Sequence, residues 1–550
     1  MDQAQPTTMA RNRRAALVAT LLAAIIALGA YLRLGDLGSP GLWFDEGITL
    51  EQSTRPNLVE SVKASTTHPP LTRLMVRASV ALAGSDRPGD MDFAVRLPSA
   101  FMGTLAILLI FLLARRLAQG DDFVGLVAAG IYALLPFGVY YSQEARYYSG
   151  LVLFAAWAYH GALLLGEHPR ALGRQLYLFA GLALGLFNHH FGAAPYLTSF
   201  LLVLPAIWAS PRRSWVAILP WVASGAAFLP WLAFAFGNLE SQARPWILGM
   251  GPQLRELLAG WLTGRVGFYH LAKANWGQPL GLTVAVSSGL LLGLGLVVHA
   301  VLRRKGHALW AVVAFLGPLL GAAILHDLTS STRFFHHKYL AFLYPLVALF
   351  LAELFVLLPR AVYRLAIWPA LVGLLLGRRE RPRLWHIDLL VTAGVGLLLA
   401  FLVVVGPTAL RGTLEAMERQ RWGSPTYLPR EHYQEVARWI QARRGPDAVI
   451  MVFDPHERMN NVWLLRYYGV EEPILLVSDF LSKQPHAMSP EMRRAIDRAT
   501  EVFVVTAHAS PEDHQRTVAL VRRPDLSASQ EFFGDGAEGK TLGVHLGKVR

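Results

Sequence analysis

An α-helical polytopic membrane protein of about eleven spans, closed by a soluble α/β domain at its C-terminus, is predicted by three features of this 550-residue chain. The first is composition: 53% of residues are hydrophobic, only 16% are charged, and the mean hydropathy is +0.36. Soluble proteins carry roughly 25% charged residues. The second is that the apolar residues come in runs near the ~20 residues a helix needs to cross a bilayer. The third is that the basic residues gather in small groups between those runs, the pattern of loops held on the cytoplasmic side.

The spans fall at 15–33, 94–114, 123–141, 149–165, 176–190, 192–209, 215–235, 280–301, 308–326, 339–357 and 386–406. Arg11, Arg13 and Arg14 precede the first and should stay inside. Alternation then puts Arg115 and Arg116, Arg170 and Arg174, Arg212 and Arg213, and Arg303, Arg304 and Lys305 inside too. The group Arg378, Arg379, Arg381 and Arg383 also falls inside if 358–385 is an interfacial or re-entrant piece. An odd number of spans delivers the C-terminus outside. The basic start and "ALGA" end of the first span also fit a cleaved signal peptide, which would leave the later topology unchanged.

The outward segments are 34–93, 142–148, 236–279 and 327–338. Beyond Pro407 strand and helix alternate: "YQEVARWIQARRG" and "NNVWLLRYYG" read as helices, and "DAVIMVFD", "PILLV", "EVFVVTA" and "TLGVHLG" as strands. This divides the chain into a membrane domain, 1–406, and an extracytoplasmic α/β domain, 407–550, that carries no Gly-rich phosphate fingerprint.

Several functions are excluded. The net charge of +13 is dispersed among loops, so nucleic acid is not an expected partner. The chain has no cysteine, which rules out disulfides, zinc thiolates and thiol catalysis.

Four polar groups cluster at the predicted outer ends of the helices. They are Asp45 and Glu46; "YYSQEARYYSG" with Glu144, Arg146 and Tyr147; "FNHHFG" with His189 and His190; and "HDLTSSTRFFHHKY" with Arg333, His336, His337 and Lys338. Each has a plainer explanation. The acids could cap a helix, the aromatic residues could form an interfacial belt, and Arg333 and Lys338 could anchor headgroups. Two histidine pairs from different loops could hold a divalent metal, although adjacent side chains point apart; no other cofactor is expected.

Read together, the groups suit transfer chemistry at an outer membrane face, where the activated donor must arrive through the lipid. Breaking the sugar–phosphate bond of a polyprenyl-phosphate sugar builds negative charge on phosphate, which cations stabilise where it develops. The acceptor hydroxyl needs a carboxylate as general base, a contribution of about 10²–10⁴ in rate. Asp45 suits the base, and Arg146, Arg333 and Lys338 suit the phosphate. Attack opposite the phosphate inverts the sugar.

The stretches "YLRLGDLGSPGLWFDEG", "HPPL" (68–71), "RLPSAFMGTLAILLIFLLARRL" (96–117), "LLPFGVYYSQEARYYSG" (134–150), "NHHFG" (188–192) and "RFFHHKYLAFLYP" resemble, in order, the GT-C glycosyltransferases. The resemblance is specifically to the bacterial protein-mannosyltransferase-like group, which includes lipid A aminoarabinose transferases and lipopolysaccharide-modifying galacturonosyl transferases. The resemblance implies a catalytic acid at Asp45 with Glu46 beside it, and a second corner motif at Glu144 and Arg146. It also implies a basic role for Arg333 or Lys338, and a substrate position at His68, where some relatives carry Lys. The oligosaccharyltransferase signature WWDYG is absent.

The expectation is therefore an inverting glycosyltransferase of the bacterial cytoplasmic membrane, with its active site outside. It would move one sugar from a polyprenyl-phosphate donor to a lipid-linked glycan, a lipopolysaccharide component or a protein. A protein O-mannosyltransferase is the rival within the class. A transporter or flippase of a lipid-linked sugar is the rival outside it, disfavoured because the acids avoid mid-span positions, Glu353 being the nearest exception.

Overall fold

The computed structural model describes residues 8–38, 41–65, 68–237, 279–302, 306–329, 338–362, 433–453, 460–477, 490–506, 511–521, 523–533 and 541–548. Ten of the eleven predicted spans coincide with helix in these segments; the eleventh, 386–406, lies outside the described residues.

The first span is α1 (Thr8–Leu34), and the segment after it folds into α2 (Phe44–Ser53), α3 (Leu58–Lys63) and α4 (Leu71–Ala83). The second is α5 (Pro88–Leu117), which starts earlier than its apolar run because Pro88 occupies a first-turn position, where its missing N–H costs nothing.

The run read as one span over 123–141 is two helices, α6 (Asp122–Leu134) and α7 (Pro136–Ser142), divided at Pro136. A proline there removes an amide donor and frees carbonyls that lipid cannot satisfy. Arg33, fully buried near the end of α1, supplies the donors. It donates to the carbonyls of Tyr132, Ala133 and Gly29, each at 3.0 Å, and to Ser142 Oγ at 3.1 Å. Its guanidinium also lies 5.1 Å from the Tyr132 ring centroid.

Next come α8 (Tyr148–Glu167) and α9 (Leu172–Asn188). The span read at 192–209 is broken into α10 (Ala193–Phe200) and α11 (Leu204–Ala209) by a turn at 201–203. The remaining helices are α12 (Pro211–Ser214), α13 (Leu219–Gly237), α14 (Pro279–Leu302), α15 (Gly306–Thr329) and α16 (Tyr344–Val362).

Among the described residues, members of three predicted inner clusters are linked through shared carboxylates. Arg14 and Arg115 share Asp122, at 2.9 and 2.6 Å, and Arg116 and Arg174 both pair with Glu167. Glu353 contacts His299 Nδ1 at 2.5 Å, with both side chains fully buried, and so ties α16 to α14. A paired acid of this kind reads as a helix–helix link rather than a mid-membrane substrate site.

The C-terminal residues form α17 (Tyr433–Arg443), α18 (Asn460–Tyr467), α19 (Pro490–Arg498), α20 (Pro511–Val521) and strands β1 (Ala448–Phe453), β2 (Ile474–Val477), β3 (Glu501–Thr506), β4 (Leu526–Phe533) and β5 (Thr541–Lys548). The sheet runs β2-β1-β3-β5-β4, parallel across β2, β1 and β3 and antiparallel at β5 and β4. All four predicted strands are present. The fifth, β4, reads "LSASQEFF", too polar to register as a buried strand, and it occupies the sheet edge.

This sheet domain does not stand apart from the membrane portion. Leu42, Leu50, Val76, Val95 and Ala145 share one buried cluster with Val436, Ile440, Leu464, Leu465 and Phe503. Tyr467 and Tyr468 donate to the two oxygens of Asp92 on α5, at 2.8 and 3.1 Å.

Gly47 on α2 marks the tightest point of this contact. A Cβ there would lie 2.8–2.9 Å from three Leu464 side-chain atoms. Gly47→Ala is therefore expected to loosen the contact by about 1–3 kcal/mol, read as a lower Tm. Gly89→Ala, where an added Cβ meets nothing within 4 Å, should leave the Tm unchanged.

Candidate active site

Helix α2 divides its residues between two surfaces. Gly47 and Leu50 face the sheet domain, while Asp45 and Thr49, four residues apart and so on one helix face, turn toward the corner between α7 and α8. Asp45 sits in the first turn, where the helix dipole favours an ionised carboxylate.

Arg146 meets it from that corner. Its Nη2 lies 3.6 Å from Asp45 Oδ2, wider than a hydrogen bond, while Nη1 donates to the Asp45 carbonyl and to Thr49 Oγ1, both at 3.2 Å. The carboxylate remains 24% exposed beside a guanidinium that is almost buried, so an incoming group can reach the acid. Burial opposes the Arg146 charge, but Asp45 together with Tyr147, Tyr148 and Tyr339 outweighs it and raises the pKa above the ordinary arginine value.

Lys338 lies beside the tyrosines of the same corner. Its Nζ lies 5.7 Å from the Tyr148 ring centroid and 5.6 Å from that of Tyr339. Burial again opposes its charge, and Tyr339 and Asp45 raise its pKa above the ordinary lysine value. Asp45, Arg146 and Lys338 thus lie close enough for their charges to act on one another.

An aromatic column lines the pocket. Tyr147 Oη lies 3.3 Å from His68 Nε2, the His68 and His189 rings stack at 5.3 Å, and His189 stacks on Tyr339 at 5.6 Å. His68 is held by Arg73, which donates to its carbonyl at 3.1 Å and to those of Ser61 and Val62 at 3.2 Å. Asn188 ties three elements together: its Oδ1 accepts from Thr72 at 3.1 Å and its Nδ2 donates to the Tyr147 carbonyl at 2.9 Å.

The predicted residues separate accordingly. Asp45, His68, Arg146, Tyr147, His189 and Lys338 come together, and His190 follows His189 in a short 3₁₀ turn. Glu144 is buried in the same corner, close enough for its charge to act on Tyr148. Arg333, His336 and His337 lie outside the described residues.

Glu46 requires correction as a catalytic acid. It is fully buried, accepts from Arg96 Nε at 2.9 Å and Nη2 at 2.6 Å, and takes the Ala145 N–H at 3.0 Å. It also completes a capping box with the Trp43 amide, so its oxygens are committed to structure. Arg96, invisible as a site residue inside an apolar run, is its partner, and it also donates to the Leu37 and Gly41 carbonyls.

For a metal, no group of three or more His, Asp or Glu side chains assembles among the described residues. His189 also presents the wrong nitrogen. Its Nδ1 accepts the Phe191 N–H at 3.1 Å, and a neutral ring that accepts there carries its proton on Nε2, which then has no lone pair for a metal.

Residues 67–235, which include most of this site, match the family described as dolichyl-phosphate-mannose-protein mannosyltransferase. No curated protein matches the chain in sequence. Among solved structures, the chain is similar to the oligosaccharyltransferase of Archaeoglobus fulgidus in its apo form, with 12% identity, 95% of this chain and 74% of that one covered, and a TM-score of 0.50. A complex of that archaeal enzyme with an inhibitory peptide and a dolichol-phosphate matches at 11% identity, the same coverage and a TM-score of 0.50. ArnT from Cupriavidus metallidurans bound to undecaprenyl phosphate matches at 14% identity, over 95% of this chain and 97% of that one, with a TM-score of 0.48. The chain thus shares the fold of that archaeal oligosaccharyltransferase, and its motif-bearing segment, residues 67–235, matches the mannosyltransferase family.

Proposed function

We propose that the protein moves a single sugar from a polyprenyl-phosphate donor to a hydroxyl of a lipid-linked glycan, a lipopolysaccharide component or a protein, at the outer face of the cytoplasmic membrane. The observation that carries this reading is the grouping of Asp45, Arg146 and Lys338, with the acid partly open, the guanidinium almost buried and the lysine half-buried. The fold it shares with an oligosaccharyltransferase that takes up dolichol-phosphate supports a lipid-phosphate donor.

In this mechanism Asp45 removes the acceptor hydroxyl proton as the oxygen forms its bond to the anomeric carbon. The bond from that carbon to the phosphate oxygen breaks, and its electron pair leaves with the phosphate. Arg146 and Lys338 take up the charge that develops there, fixed in place before the reaction starts. Attack from the face opposite the phosphate inverts the anomeric configuration. The outward C-terminal domain acts through α2, bracing the helix that carries the base.

Arg146→Ala should raise the KM for the donor by about ten-fold or more while moving the KM for the acceptor much less, since it removes a charge-assisted contact to phosphate. Equal effects on both substrates would count against that contact. The donor sugar and acceptor are identified by mass spectrometry of lipids, surface glycans and envelope proteins from cells with and without the gene. A lost sugar on lipid or glycan supports the first reading, a lost hexose on protein supports a protein O-mannosyltransferase, and an unchanged inventory overturns both.

A further inference from the structure

His189 is a buried polar group that the proposed chemistry leaves without a task. It is 3% exposed, stacked between His68 and Tyr339, with the Tyr147 ring 4.1 Å away. The Phe191 N–H donates to Nδ1 at 3.1 Å, so the proton of the neutral ring belongs to Nε2. Among the described residues Nε2 has no hydrogen-bond partner. A buried N–H donor left open beside two cations calls for an acceptor oxygen, and an anionic one suits the charge of its surroundings.

We propose that His189 is a donor-binding residue, whose Nε2–H donates to an unesterified phosphate oxygen of the lipid-phosphate sugar beside Arg146 and Lys338. The proposal rests on the reading of this pocket as a polyprenyl-phosphate site. The oxygen reaches Nε2 as the side chains around it give way on binding. The imidazole adds a neutral, directional donor to two cations, and so favours one orientation of the phosphate.

The test is binding of undecaprenyl phosphate to the full-length protein, followed by native mass spectrometry, in wild type and in Asp45→Asn, His189→Phe and His189→Gln. Glutamine places an amide N–H near the position of Nε2, whereas phenylalanine keeps the stack and removes the donor. His189→Phe should bind about 10- to 100-fold more weakly, and His189→Gln should recover most of the loss. If His189→Phe does not assemble, His189→Asn takes its place, since its amide sits near Nδ1 and should not rescue.

Wild-type affinity in His189→Phe would reduce the residue to a stacking role and overturn the proposal. So would loss of wild-type binding on chelation of divalent metal with no recovery in His189→Gln. If neither wild type nor Asp45→Asn binds undecaprenyl phosphate, the donor reading itself falls, and this inference with it. Binding by both, with no effect of His189→Phe, removes only this inference.

Discussion

Asp45→Asn should lower the turnover of sugar transfer by about 10²- to 10⁴-fold while leaving expression, membrane insertion and donor binding intact. The substitution keeps the shape of the side chain and removes its charge and its capacity to accept a proton. The carbonyl of Asp45, which receives Arg146 Nη1 and the Thr49 hydroxyl, is unaffected, so α2 should keep its place. The measurement is single-turnover transfer from a synthetic polyprenyl-phosphate sugar, with donor binding assayed in parallel. Near-normal turnover would remove Asp45 as the base.

The second large effect is structural. Arg96→Met should destabilise the protein by about 3–5 kcal/mol, because it strands the Glu46 carboxylate in a site with no exposure to solvent. Expression or thermal stability reads the loss. The double variant Arg96→Met, Glu46→Gln should recover part of it by neutralising the stranded charge. Equal instability of single and double variants would show that the remaining Arg96 contacts, to the carbonyls of Leu37 and Gly41, carry the effect instead. The adjacent acids of "FDEG" are thus expected to fail differently, Asp45→Asn in chemistry and Glu46→Gln in folding.

Much of this site is legible in the sequence because charge is scarce in an apolar chain. Asp45, Arg146 and Lys338 stand at helix ends, and topology alone brings helix ends together. What the residues beside them do is harder to read. Asp45 and Glu46 are neighbours of the same chemical type, and only the placement of Arg96, fifty residues away in sequence, separates the proposed base from the buried strut. Arg33 and Asp92 lie within or next to apolar runs, and their partners come from a proline break at Pro136 and from Tyr467 and Tyr468 of a distant domain.

The helix breaks themselves follow the same logic. Apolar periodicity reports that a segment crosses lipid, not that it crosses as one helix, so 123–141 and 192–209 read as continuous. The C-terminal strands were legible where both faces are buried, as in β1, and not where an edge strand is polar, as in β4. That the α/β domain braces α2 had no sequence signal beyond Gly47, a glycine inside a helix where alanine would be intrinsically better.

The central claim, that an acid from the first outer loop and a cation from the segment after α15 face one lipid-phosphate pocket, is tested most directly with introduced cysteines. The chain has none of its own, so single substitutions at 45 and 338 report cleanly. Both positions should react with a membrane-impermeant maleimide added from outside, and undecaprenyl phosphate should protect both. Labelling of the two positions from opposite sides of the membrane, or protection of neither, would contradict the account.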